Sequence, residues 1–169
     1  MHALKAVFLI LLVGSLAWSE HSSADILPAN ASGWHTWQVD ENAPVVQMCC
    51  FSWRRGTRSL AGCNLDGRHV SFTNDGDCTA PIGLVQVYVW MRDGKPVDIR
   101  VLSSECPVSA ATEITDHGLV SVDENMAWFS SVIEDPRQDM DVREDALFGL
   151  VQSESDAAFE YLDALLAER

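Results

Sequence analysis

Two hydrophobic rhythms divide this chain. From Trp34 to Leu102, apolar residues come in short alternating or continuous runs bounded by Gly, Pro, Asn and Asp. That is the pattern of strands and turns. Trp34–Val39 predicts a first strand, Asp40–Pro44 a turn and Val45–Trp53 a second strand. Asp66-Gly67 signals a hairpin turn leading into His69–Thr73, and Asn74–Asp77 is a further turn. Leu84–Met91 and Val97–Leu102 flank Arg92-Asp93-Gly94 and form the clearest hairpin. After Pro107 the spacing becomes helical. Ser121-Val122-Asp123-Glu124 is a capping box, and Val122, Met126, Phe129 and Ile133 make one stripe ended by Pro136. A second helix, capped at Asp141, carries Val142, Ala146, Leu147, Leu150 and Val151 on one side. A third turns inward Ala158, Tyr161, Leu162, Leu165 and Leu166, giving an antiparallel helical hairpin. The expected fold is α+β: an antiparallel β meander followed by a helical region.

A three-residue loop at Arg92–Gly94 sets the hairpin register. It places Val89 opposite Val97, Val87 opposite Ile99 and Val85 opposite Val101. Extending that register brings Cys106 near Cys78, so a Cys78–Cys106 disulfide is expected, worth about 2–4 kcal/mol. A turn at Arg54–Arg58 brings Cys63 back towards Cys49 and Cys50. Neighbouring strand residues face opposite sides, so only one of the two should pair, and Cys50 is assigned. Cys63, His69, Cys78 and Cys50 could alternatively converge on zinc. Their spacing is irregular and no Cys-x-x-Cys is present, so neither metal nor cofactor is expected.

Disulfides imply an oxidising compartment, and the N-terminus agrees. Lys5 precedes an apolar run, Ala6–Ala17, that is too short for a bilayer span of roughly 20 residues. Small residues follow at Ala17-Trp18-Ser19 and at Ser22-Ser23-Ala24. The second site is preferred, making residues 1–24 a cleaved signal peptide. The mature protein is then periplasmic or secreted, with no membrane span. It divides into a cysteine-containing β domain (25–107) and an acidic helical region (108–169).

Charge sharpens that division. The chain has 169 residues and a net charge of -14. Up to Ser104 there are nine acidic and eight basic residues; from Glu105 onward there are sixteen and three. Such a chain repels nucleic acid. No Gly-x-Ser-x-Gly, His-Glu-x-x-His or phosphate-loop pattern occurs. His117 beside Asp116, with Ser121 nearby, reads as a surface turn rather than a catalytic base. Arg54, Arg55 and Arg58 cluster at one hairpin end, and with Trp34 and Trp37, whose default role is core packing, they form the candidate binding surface.

Further motifs carry a resemblance. They are Gly33-Trp34-x-x-Trp37, Cys49-Cys50-Phe51, Cys63-x-Leu65, Gly94–Val101 and Ser104-Glu105-Cys106-Pro107. Together they resemble a group of exported bacterial HEAT-repeat-containing proteins. Arg143–Leu150 and Ser155–Leu162 are similar to one HEAT helix pair, spanning 141–168. The resemblance implies a non-catalytic scaffold that binds another envelope or secreted protein, and it supplies no catalytic residues. A single pair cannot bury its own apolar side, so it must pack on the sheet or on another chain. The alternative function is a small exported enzyme or metal-binding protein.

Overall fold

The long strand β1 (Gly33–Pro44) organises the molecule. In the computed structural model, which describes residues 26–44, 49–54, 57–60, 62–67, 82–153 and 155–167, it lies inside a four-stranded sheet. The order is β6 (Lys95–Ser103), β5 (Ile82–Arg92), β1, β8 (Ile114–Val120). β5 pairs antiparallel with both β1 and β6, whereas β8 runs parallel to β1. Two small ribbons complete the strands. One joins β2 (Phe51–Arg54) to β3 (Thr57–Leu60); the other joins β4 (Cys63–Asn64) to β7 (Val108–Ser109). The helices α1 (Val122–Glu134), α2 (Met140–Ser153) and α3 (Asp156–Ala167) follow. The class is therefore α+β, with a mixed sheet. Residues 1–25, where the export signal is expected, lie outside the described residues.

Both faces of the sheet are covered, and this explains the near-continuous apolar run Leu84–Met91. Val85, Val87, Val89 and Met91 point with Trp37, Val39, Ile99 and Val101 towards the helices, where they meet Trp128, Phe129, Val132 and Leu150. The intervening Tyr88, with Trp34 and Leu102, points towards a separate cluster of Cys49, Cys50, Cys63, Leu65 and Cys106. The sheet is thus the middle layer, with helices on one side and disulfide-linked loops on the other.

Local chemistry fixes the helix ends. Ser121 and Glu124 exchange the reciprocal bonds of a capping box, starting α1 as its sequence predicts. Asp135, forced extended before Pro136, ends it. Ser155 caps α3 by accepting from the Ala158 amide at 3.2 Å. Gly149 allows α2 to approach the sheet, because a Cβ there would sit 2.9 Å from both Phe129 and Val101 side-chain atoms.

Four expectations change. β1 continues through the predicted turn at Asp40–Pro44, with an irregularity in its pairing there. The 108–169 region is not purely helical, since β7 and β8 lie in it and β8 joins the central sheet. The β5–β6 turn is a two-residue one, with positive φ at both Asp93 and Gly94, as a type I′ turn requires. Val89 consequently faces Ile99 and Val87 faces Val101. A bulge beside Pro96, which has no amide hydrogen for the ladder, absorbs the difference and leaves Val97 exposed. Finally, Val151 and Leu166, expected inside, face solvent.

Candidate interaction surface

The disulfide layer shows why adjacent cysteines can both be crosslinked. Cys49 is bonded to Cys106 and Cys50 to Cys63. Cys49 and Cys50 precede β2 and are not part of a strand, so the opposite-sides rule for strand residues does not apply to them. The Cys50–Cys63 pairing coincides with the sequence assignment, whereas Cys106 takes Cys49 and not Cys78. Cys78 and His69 lie outside the described residues. The hairpin extension that favoured Cys78 runs back through residues 78–81, which are likewise not described. Cys106 instead follows a tight turn after β6, its amide donating to the Ser103 carbonyl.

Polar bonds tie this layer to the sheet. The Trp34 indole N–H donates to Asp66 Oδ1 at 3.1 Å, and the Ala111 amide donates to the other carboxylate oxygen. These bonds, then the Arg100 charge, hold the Asp66 carboxyl below the usual carboxylate range. Arg100 donates to the Gly67 carbonyl at 2.9 Å and pairs with Asp98. Gln86 donates to Thr36 Oγ1, which donates onward to the Val87 carbonyl.

The two tryptophans singled out for binding are structural. Trp34 is 3% exposed; Trp37 is fully enclosed and donates its indole N–H to Asn125 Oδ1 at 2.9 Å. Their rings lie on opposite faces of the sheet, so they form no common platform. Area and a satisfied donor make Trp a good core residue, and sequence cannot tell that role from a ligand platform. Arg54 and Arg58 belong to the β2–β3 ribbon, where Arg54 is opposite Thr57 and Trp53 opposite Arg58. Arg55 is outside the described residues.

His117 does not combine with Ser121. A bulge in the β1–β8 pairing, eased by the positive φ of Gly118, turns its ring onto His35. His35 Nδ1 and His117 Nε2 are 2.9 Å apart, with the rings stacked. Burial first, and the neighbouring His117 second, lower the His35 pKa, against the backbone of Ser32, which raises it. Asp116 meanwhile accepts from the Gly118 amide. The described residues contain no cluster of three or more His, Cys, Asp or Glu side chains placed to hold a metal ion.

A cleft of about 190 Å³ opens between the N-terminal segment at Leu27–Ala29, the β5–β6 turn and α1 at Trp128 and Val132. It is smaller than the roughly 300–1,000 Å³ of ordinary small-molecule sites. Met140 (63% exposed), Phe148 (46%) and Val151 (42%) on α2, and Phe159 (50%) and Leu166 (69%) on α3, all face solvent. The helical spacing did not reveal this surface, because it placed Val151 and Leu166 on the inner sides and left Met140, Phe148 and Phe159 unassigned.

No family model, curated protein or solved structure matches the chain. No helix among the described residues is long and apolar enough to cross a membrane. Two buried disulfides are consistent with a compartment outside the cytoplasm.

Proposed function

We propose that this is an exported, non-catalytic interaction module: a disulfide-braced sheet that presents a helical pair to another envelope or secreted protein. One observation carries this reading. Large apolar side chains stand out on α2 and α3, although the same helices bury Val142, Ala146, Leu150 and Ala158. Exposed apolar groups gathered on one element mark protein contact more often than scattered ones do. The resemblance to exported HEAT-repeat-containing proteins, also part of the proposal, points the same way, since such helix pairs bury surface against neighbours. The apolar leader and the disulfides support export.

Photo-crosslinking in the producing cell tests the reading. A crosslinking amino acid at position 159 should trap an exported protein, and the same group at the exposed position 105, in the disulfide layer on the other side of the sheet, should not. Recovery of the native chain from cytosol, with its leader intact and its thiols reduced, would overturn the proposal. So would crosslinking that is the same at both positions.

A further inference from the structure

We infer that the outer face of the α2–α3 pair receives a cationic amphipathic helix of a partner protein. This rests on the interaction-module reading and adds the partner's chemistry. On α2, Met140, Glu144, Phe148 and Val151 follow at intervals of four, four and three, so they share one side of the helix. On α3, Asp156, Phe159, Asp163 and Leu166 follow at intervals of three, four and three and likewise share a side. The α3 stripe alternates carboxylates with apolar groups, and the α2 stripe sets Glu144 between Met140 and Phe148. Glu144, Asp156 and Asp163 are exposed, as are the flanking Asp141, Asp145 and Glu160.

No positive charge within these helices answers them. Arg143 is the one basic residue of α2 and α3. Its guanidinium is drawn to the end of α1, where Nε donates to the Ile133 carbonyl at 2.7 Å. Partial desolvation first and the charge of Asp98 on β6 second, opposed by Arg100 and followed by the smaller contributions of Asp141 and Glu144, push the Asp145 carboxyl up to about 6. A ligand that brings cations would relieve this repulsion, and one that brings apolar groups would cover the rings.

Those two requirements select the partner. An anionic bilayer supplies apolar area but the wrong sign of charge, and amphipathic helices that lie on such membranes are themselves basic. A simple cation supplies charge and leaves Phe159 and Leu166 wet. A helix with Lys or Arg flanking apolar residues at three- and four-residue spacing supplies both.

The probes are a Lys/Leu amphipathic peptide, the same composition scrambled so that no apolar face forms, and a Glu/Leu counterpart. Each is titrated into the oxidised full chain. Binding of the first should exceed that of the other two by at least about tenfold and should weaken with salt. Phe159→Ser with Leu166→Ser, and separately Glu144→Lys with Asp163→Lys, should each reduce it by about tenfold or more. Glu105→Lys, an exposed change in the disulfide layer, should leave it within about twofold. Circular dichroism and disulfide mapping confirm that each variant folds. Equal binding of the scrambled peptide, indifference to both double variants, or preferential binding to anionic vesicles would overturn the inference. Crosslinking at position 159 without peptide binding would refute the partner's chemistry and leave the module reading standing. Peptide binding without an exported crosslinked partner would refute the module reading instead.

Discussion

On one side of the central sheet lie loops and ribbons of only two to four residues per strand, held by Cys49–Cys106 and Cys50–Cys63; on the other lie three helices with no crosslink among the described residues. Both sides cover apolar faces of the same strands, and the difference lies in how each covering is ordered. A helix satisfies its own backbone and needs only an apolar stripe to dock. The described residues within 49–67 and 104–113 have few ladder bonds, so ordering them costs entropy that local structure does not offset. Crosslinks reduce that cost by restricting the unfolded chain. Trp34 and Trp37 join the two systems, because their rings project from one strand into opposite layers.

Breaking the crosslinks should have the largest effect. The bonds span 57 and 13 residues. Loop-closure entropy then assigns about 4 kcal/mol to Cys49–Cys106 and about 3 kcal/mol to Cys50–Cys63. Paired Cys→Ser variants, compared by urea unfolding, should lose stability in that order. A larger loss from the short loop would show that contacts within the layer, not chain entropy, dominate.

On the helical side, Gly149→Ala is the sharper probe. Alanine favours a helix by about 0.8–1.0 kcal/mol over glycine. The added methyl, however, would press on Phe129 and Val101 at 2.9 Å, and overpacking costs typically 1–3 kcal/mol. A net loss of about 1 kcal/mol is expected in the same assay. A gain would mean that the helical layer yields where the disulfide layer does not.

The smallest effect concerns the edge where β8 meets β1. His35 binds its proton more weakly in the folded chain than in the unfolded one. As pH falls below the unfolded value of about 6.5, the unfolded state therefore takes up protons first. This group's contribution is complete above that pH and is lost below it, at no more than about 1.4 kcal/mol per pH unit. NMR titration should find His35 below 6.5. His117→Gln should raise its pKa only part of the way back, since burial is the larger cause. Full return to the ordinary value would show that charge, not burial, governs the pair.

Much of the local structure was legible in advance. The capping box at Ser121, the stop at Pro136 and the three helices follow from short-range hydrogen bonding and helical spacing. The β5–β6 hairpin was legible in its strands and its apolar face but not in its register, because a turn type and a bulge each shift pairing by whole residues. Within the candidate surface, the carboxylates of α2 and α3 were visible as charge. Their alternation with exposed Phe159 and Leu166 became visible only once the inner sides of the helices were known.

Sequence by itself determined where the three helices and the two strands of the β5–β6 hairpin form, that the second half is strongly acidic, and that cysteines concentrate in the first. Those features depend on residues within a few positions of one another. Tertiary structure alone decided that Cys106 joins Cys49, that Ile114–Val120 returns to lie parallel to β1, and that Trp34 and Trp37 are interior. Each of these depends on which distant segments meet. Pairings across 57 or more residues are selected by the simultaneous burial of both sheet faces, a condition that no local run of residues encodes.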